Sequence, residues 1–545
     1  MVVPELRPWR AARPHLARVA RAVTPRLARV AQAVRPRAQR ITEVVRPHVA
    51  RVTRAVRPRE GRYTTPQVAA VAATMGLALA AGAATAAGPW DSTGQRTAER
   101  DRAAAWSREG GADHGSRADA AAETPVPAPS AAPVLAGVTG RTVLTKSAPS
   151  APSVPTLASV LDRLLDDDSL GPRRTAAVVD VATGERLYGK DQDRALTPAS
   201  TTKIATAVAA LSAVGPDHRF VTRAVLEPGT DKLLLVGGGD PTLTARAKGG
   251  AWADLRALAD RTATALEKRG LTRVSLKYDA SLFTGEDLHP IGVNENIARV
   301  TALMADEGRT DDSGSGPAAR SADPAAEAAR TFGALLRDRG VEVEAPDAAA
   351  AKATPDAATL ASVQSPPLSA VVERMLTDSD NDIAEALARH TALATGRDAS
   401  FEGGAAAVHD RLGKLGLPVA GSAFHDGSGL DREDRLTANL LTALLATAGS
   451  PSHPELRAAL TGLPVAGFTG TLSDRYENTA ERPGIGLVRA KTGSLTGVNT
   501  LAGTVVDADG RLLAFAFLTD GSMDQTAARA ALDRAAAALA GCGCR

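Results

Sequence analysis

The chain has 545 residues, with 64 Lys+Arg against 61 Asp+Glu and a formal net charge of +3. The balance is uneven: residues 1–66 hold sixteen Arg and three Glu, a local charge of +13, which leaves −10 for the remainder. A whole-chain nucleic-acid binder is therefore excluded, and two cysteines confined to the C-terminus, Cys542 and Cys544, exclude a disulfide framework, a Cys-rich zinc site and an iron–sulfur cluster.

In chain order, residues 1–66 form a basic arm in which Pro14, Pro25, Pro36, Pro47 and Pro58 recur every eleven residues. Each Pro starts or kinks a short helix. The arm suits anionic lipid as a cationic amphipathic segment, or a solvated cytoplasmic tail, and no specific nucleic acid is implied. No charge occurs between Tyr63 and Trp90, and Val68–Ala87 has roughly the ~20 residues that cross a bilayer. Residues 67–89 are thus expected to be a transmembrane segment or, given Ala84-Thr85-Ala86, a cleaved signal. The Arg excess before it puts the N-terminus inside and the bulk of the chain outside. The expected location is the cell membrane with an extracytoplasmic domain, or secretion if the segment is removed. Residues 90–155, rich in Ala, Pro, Ser and Gly, bury too little to offset their ordering and are expected to be a linker.

Periodic structure begins near Leu157. Leu157, Val160, Leu161, Leu164 and Leu165 share a helical face. Thr175–Val181 and Glu185–Tyr188 alternate as strands about a turn at residues 182–184. At the other end Leu487–Lys491, Thr500–Val506 and Arg511–Leu518 are strands, followed by an Ala-rich helix at about 524–540. Between them lie helices predicted at Thr201–Val214, Ala325–Arg339, Pro367–Leu376, Ile383–Ala394 and Leu436–Ala448. Strands from both ends of one domain imply an α+β fold, an antiparallel sheet flanked by helices. Residues 221–340, with strands at Val221–Leu226 and Leu233–Val236, are expected to be a β-rich inserted domain between main-domain segments 156–220 and 341–541. The polar, glycine-rich stretch 305–324 is expected to be a mobile loop.

Three motifs carry chemistry. In Pro198-Ala-Ser200-Thr-Thr-Lys203, three-residue spacing on a helix puts a hydroxyl and an amine on one face, and a desolvated neutral Lys can take the Ser proton. In Ser379-Asp-Asn381, a second hydroxyl can relay a proton while an amide holds Lys203 and a carbonyl. In Lys491-Thr-Gly493-Ser494, a cation and a hydroxyl suit a substrate carboxylate, Gly493 allows close backbone approach, and the N–H groups of Ser494 and Ser200 suit an oxyanion. Each motif also has a plain structural reading: Ser200 or Ser379 as a helix N-cap, Lys203 or Lys491 as a surface lysine.

The three together, in this order, form the penicillin-recognising serine enzyme set. With Gly237-Gly-Gly-Asp-Pro-Thr-Leu243, Asp426-Gly-Ser-Gly-Leu430 and Gly470-Thr-Leu472, the chain over about 156–541 resembles the D-alanyl-D-alanine carboxypeptidase/endopeptidase family of low-molecular-mass penicillin-binding proteins, penicillin-binding protein 4 type. The resemblance implies a serine transpeptidase/β-lactamase-like fold. It implies Ser200 as acylated nucleophile with Lys203 as base, Ser379 and Asn381 shuttling a proton and positioning substrate, and Lys491, Thr492, Gly493 and Ser494 binding it. Peptidoglycan stem peptides are the implied substrates and β-lactams the covalent inhibitors, with no cofactor and no metal. Arg432 is a weaker candidate for substrate contact, more readily a salt-bridged structural residue. Two other readings compete: a β-lactamase on the same core, disfavoured by the lack of an ExxLN segment after Asn381, and a non-catalytic cell-wall or membrane organiser. Cys542 and Cys544 read as an exposed tail.

Overall fold

The structure, a computed structural model, describes residues 156–247, 250 and 252–542. The basic arm, the apolar segment 67–89 and the linker therefore lie outside the described residues, and among those described no helix is long and apolar enough to cross a membrane.

The elements in order are α1 (Leu157–Leu165), β1 (Arg173–Asp180), β2 (Arg186–Lys190), α2 (Thr202–Val214), β3 (Val221–Leu226), β4 (Lys232–Val236), α3 (Leu255–Glu267), β5 (Arg273–Asp279), α4 (Pro324–Arg337), β6 (Glu342–Ala350) and β7 (Ala358–Gln364). There follow α5 (Leu368–Asp378), α6 (Asn381–Ala394), α7 (Phe401–Lys414), α8 (Ala438–Gly449), α9 (Ala458–Thr461), β8 (Val488–Leu495), β9 (Val498–Val506), β10 (Leu512–Asp520) and α10 (Gln525–Ala540).

The first sheet has the order β2-β1-β10-β9-β8 and is antiparallel throughout, so strands from the two ends of the domain close it side by side. Its two faces differ in bulk because side chains alternate along each strand. Leu513, Phe515 and Phe517 of β10 pack towards α1 and the Ala-rich face of α10. Ala514, Ala516 and Leu518 face the opposite way, into the cluster that holds α2 and α8, and the two alanines let α8 approach closely. That helix is buried from Thr202 to Leu211. A helix apolar on all sides belongs in the centre of a core, and α5, α6, α7 and α8 enclose it.

The second sheet has the order β6-β5-β4-β3-β7. Pairs β4–β5 and β5–β6 are parallel, so each needs a crossover, which α3 and α4 supply. β6 and β7 belong to this sheet, and the inserted unit therefore runs to Gln364, past the boundary at 340 expected from sequence. The reason is topological: β3 needs an antiparallel partner at each side, and the returning chain provides β7.

The stretch 305–324, expected to be a mobile loop, is tied down at both ends. Thr310 N donates to Ala319 O at 3.0 Å, and Ser321 N to Gly308 O at 2.7 Å. Glu307 is buried and pairs with Arg309 at 2.9 Å and with Arg374. Arg320, whose side chain is buried, donates to Asp382 at 2.8 Å and to Glu307 O at 2.6 Å. Cys542, expected in an exposed tail, is instead buried against the α1–α10 cluster and disulfide-bonded. Arg320→Met leaves the buried Asp382 carboxylate without its counter-charge, which is expected to cost about 3–5 kcal/mol. Urea unfolding measures the loss, and limited proteolysis between residues 309 and 320 is expected to accelerate.

Candidate active site

Ser200 sits in a 3-10 turn, Ala199–Thr201, that runs directly into α2. Ala199 is held at φ 47°, a conformation costing a residue with a Cβ about 1–2 kcal/mol. The turn is fastened to the sheet, since Thr201 Oγ1 and Thr500 Oγ1 of β9 both donate to Pro198 O, at 2.7 and 2.8 Å. One turn further on, Lys203 is fully buried and not a surface residue. Its Nζ donates to Ser200 Oγ at 3.0 Å, to Asn381 Oδ1 at 2.6 Å and to Ser428 O at 2.6 Å. All three protons of an ammonium are thereby used.

Ser379 is not an N-cap. It closes α5 in the left-handed conformation (φ 61°, ψ 39°), while Asp380 caps α6 by accepting from Ile383 N at 3.0 Å. Asn381 opens α6 with its amide fixed at both ends, Oδ1 on Lys203 and Nδ2 donating to Asn296 O at 2.8 Å. The Ser379 hydroxyl accepts from Lys491 Nζ at 2.8 Å. Lys491 lies on β8 and is fully buried, its other bond going to Thr492 O at 2.9 Å. Lys491 Nζ thus meets the Ser379 hydroxyl and the Thr492 carbonyl, and Lys491 lines neither of the two cavities at the site.

β8 is an edge strand. Its first half is covered by residues 464–466, through Ala466 N to Val488 O at 3.0 Å and Ala490 N to Pro464 O at 2.9 Å. Beyond that, Gly493 passes the Ser200 turn so closely that an added Cβ would lie 2.1 Å from Thr500 Oγ1 and 2.7 Å from Pro198 O. Ser494 follows. Two cavities meet here, and both are lined by Ser200, Ser379 and Ser494. One, of about 210 Å³, runs towards Asn296, Asn381 and Leu430. The other, of about 270 Å³, runs towards Thr492, Thr471 and Arg529. A larger cavity of about 640 Å³ between Trp252 and Arg374 contains none of the three motifs, so volume does not locate the chemistry. Arg432 donates to Thr496 O at 2.8 Å and makes no salt bridge among the described residues.

The site's electrostatics come from behind Lys203. Burial pushes its amine down to about 8, against the opposing charges of Asp426, Glu385, Asp380 and Asp434. Burial, and then the charge of Lys203, hold Lys491 well below the usual lysine range. Asp426 is the anchor of the loop that presents Ser428 O. It accepts from Ser428 N at 3.1 Å, Gly429 N at 2.6 Å and Asp431 N at 2.7 Å, and faces His289 Nε2 at 3.1 Å. Burial opposes ionisation of Asp426, but the His289 hydrogen bond and charge and the backbone N–H groups outweigh it and hold the carboxyl low. Burial likewise opposes charge on His289, yet the Asp426 bond and the neighbouring carboxylates keep it raised. Gly429 is required in this loop, since at φ 80° an added Cβ would lie 2.0 Å from Ala199 O.

Residues 157–313 and 310–540 match the family described as D-Ala-D-Ala carboxypeptidase 3 (S13). A carboxypeptidase of Mycobacterium tuberculosis is 36% identical over 436 residues, 78% of this chain and 91% of that protein. The carboxypeptidase DacB of Mycolicibacterium smegmatis is 37% identical over 440 residues, 79% of this chain and 92% of that one. The crystal structure of penicillin-binding protein 4 from Haemophilus influenzae covers 70% of this chain and 98% of its own at a TM-score of 0.57 and 23% identity, a likeness of fold. The chain belongs to the S13 family.

All eight motif residues of this S13 chain converge on one cleft, with Lys203 and Lys491 behind it and the hydroxyls of Ser200, Ser379, Thr492 and Ser494 in front. Sequence reasoning missed His289, Asn296 and the role of Ser428. His289 carries no motif, and the other two act through backbone carbonyls, which any residue type supplies. Two buried groups have metal-like donor sets, His289/Glu385/Asp426 and Glu307/Asp380/Asp382. In the first, the carboxylate oxygens already accept from backbone N–H groups, with Glu385 taking Gly427 N at 3.0 Å. In the second, Arg309, Arg374 and Arg320 take the charge. Gly493→Ala forces β8 away from the Ser200 turn. A displacement near 1 Å costs about 100-fold, so release of D-Ala from a D-Ala-D-Ala peptide is expected to fall by that order while far-ultraviolet circular dichroism is unchanged.

Proposed function

We propose that this S13 member is a serine D-Ala-D-Ala carboxypeptidase in which Ser200 is the nucleophile and Lys203 its base. The observation that carries the reading is the 3.0 Å contact between Lys203 Nζ and Ser200 Oγ, with the amine buried and held by two further acceptors. Neutral Lys203 takes the hydroxyl proton as Oγ attacks the penultimate carbonyl. The Ser200 and Ser494 N–H groups receive the developing oxyanion. Ser379, bonded to Lys491, passes a proton to the departing D-Ala amine. Water then hydrolyses the ester. The substrate backbone lies along the uncovered half of the β8 edge, as an added strand. A β-lactam acylates the same hydroxyl, and stem peptides of peptidoglycan, cross-linked or not, supply the D-Ala-D-Ala donor.

The composition of residues 1–155 supports an extracytoplasmic catalytic domain, tethered or released according to whether 67–89 is cleaved, with the basic arm on anionic lipid.

Purified protein is expected to take up fluorescent penicillin, and Ser200→Ala to lose all labelling. Equal labelling of the variant rejects Ser200, and rapid nitrocefin turnover in place of a long-lived adduct favours a β-lactamase. The pH dependence follows from Lys203. A base acts only when unprotonated, so with a pKa of about 8 the acylation rate is expected to fall about tenfold per pH unit below that value and to level off above it. Stopped-flow acylation between pH 5.5 and 9.5 gives the profile, and a rate flat from pH 6 to 9 contradicts the assignment.

A further inference from the structure

The cavity beyond Thr492 holds a charge that the mechanism above leaves unused. Its near end is formed by Ser200, Ser379, Thr492 and Ser494, and its far end by Thr471, Arg475 and Arg529. Its volume of about 270 Å³ falls just below the ~300 Å³ lower end for drug-sized ligands, which suits a single small residue. Lys491 is not among the lining residues, being buried behind Ser379 and Thr492. The positive charge that meets a ligand here therefore comes from the far end.

The two arginines there differ. Arg475 is committed: Nε and Nη2 bind both oxygens of the buried Asp533, at 2.9 and 2.7 Å. Arg529, exposed in the second turn of α10, makes no ion pair among the described residues, and its backbone carbonyl accepts from Arg475 Nη2 at 3.3 Å. Asp533 is thus taken by Arg475, and the Arg529 guanidinium is left without an ion pair among the described residues at the end of a cavity that begins at the nucleophile. Burial and then the charge of Arg475 disfavour charge on Arg529, against the opposing charge of Asp533, so an arriving anion is favoured. The hydroxyls of Thr492 and Thr471, 2.9 Å apart, line the path between.

We propose that Arg529 binds the terminal carboxylate of the leaving D-Ala residue and selects peptides that end in a free carboxylate over those whose terminus is amidated. This rests on the carboxypeptidase reading of Ser200. With the scissile carbonyl at Ser200, the single residue on the leaving side occupies this cavity and its carboxylate points to the far end. Arg529 is then a specificity determinant that touches substrate and takes no part in proton transfer.

The test compares an acylated Lys-D-Ala-D-Ala peptide with the same peptide as its C-terminal carboxamide. Wild type is expected to prefer the carboxylate. Arg529→Gln is expected to lower kcat/KM for the carboxylate by about tenfold or more, the worth of a charge-assisted hydrogen bond, chiefly through KM, and to leave the carboxamide unchanged. Arg529→Lys is expected to recover part of the preference. Equal effects on both peptides, or none on either, overturn the proposal and mark Arg529 as structural or idle. Calorimetric binding of the two peptides to Ser200→Ala, with and without Arg529→Gln, reads the same preference without chemistry. If wild type releases no D-Ala and takes no penicillin label, the carboxypeptidase reading fails, and this binding arm still decides the subsite.

Discussion

The structure turns on keeping one ammonium group out of water. Moving a charged amine into a protein interior costs several kcal/mol even after relaxation, and Lys203 is fully buried. The cost is offset only where all three protons find acceptors, and those acceptors come from three separate stretches of chain: its own turn at Ser200, the start of α6 at Asn381, and the 426–430 loop at Ser428. The amine therefore works as a junction that fixes the nucleophile relative to the other two segments. A lysine on the surface would fix nothing, and its pKa would be too high to act as a base near neutrality.

The junction is held by negative charge at one remove. Asp426 keeps its carboxylate ionised through backbone N–H groups and His289, while Glu385 is pushed up to about 7 by burial and by the charge of Asp426. Burial and Asp426 likewise raise Asp434 well above the usual range. A ring of like charges is thereby avoided, because one member stays ionised and its neighbours yield. The ionised member serves two ends at once. It orients the Ser428 carbonyl that holds Lys203, and it opposes the drop in the amine's pKa that burial alone would cause. On the other side, burial and then the charge of Lys203 both act against protonation of Lys491.

How much of this could be read from the sequence follows from what each feature depends on. The three motifs were legible because their chemistry resides in side chains at fixed spacing. The strands of the first sheet and the helix α2 were legible because β-branched and Ala/Leu-rich periodicity matched their environment. α7 was not, because Gly403 and Gly404 lie in its first turn; there a Cβ on Gly403 would meet Asp398 O at 1.9 Å. The same holds for β5, β6 and β7, whose strand character is decided by pairing with β4, β5 and β3 respectively and not by their own composition. The 305–324 stretch shows the limit most clearly. Polar, Gly-rich composition is shared by solvated loops and by loops stapled through buried ion pairs, and nothing local reveals that Arg320 meets Asp382, 62 residues away.

That stapled loop changes the meaning of the insertion. Three of its residues reach the catalytic side: Asn296 O receives the Asn381 amide, Arg320 neutralises Asp382 at the start of α6, and His289 faces Asp426. Phe283, Ile297, Val300 and Ala302 pack with Ala386 and Phe401 in one apolar cluster, so the crossing from insertion to main domain is a continuous core and not a hinge. Each of the three polar contacts adds a partner to a residue that holds Lys203 or adjoins one that does. The insertion is therefore a buttress of the site as much as a domain of its own: its connection between β5 and α4 supplies outer partners to Asn381 and Asp426, which hold the lysine on which the cleft is built.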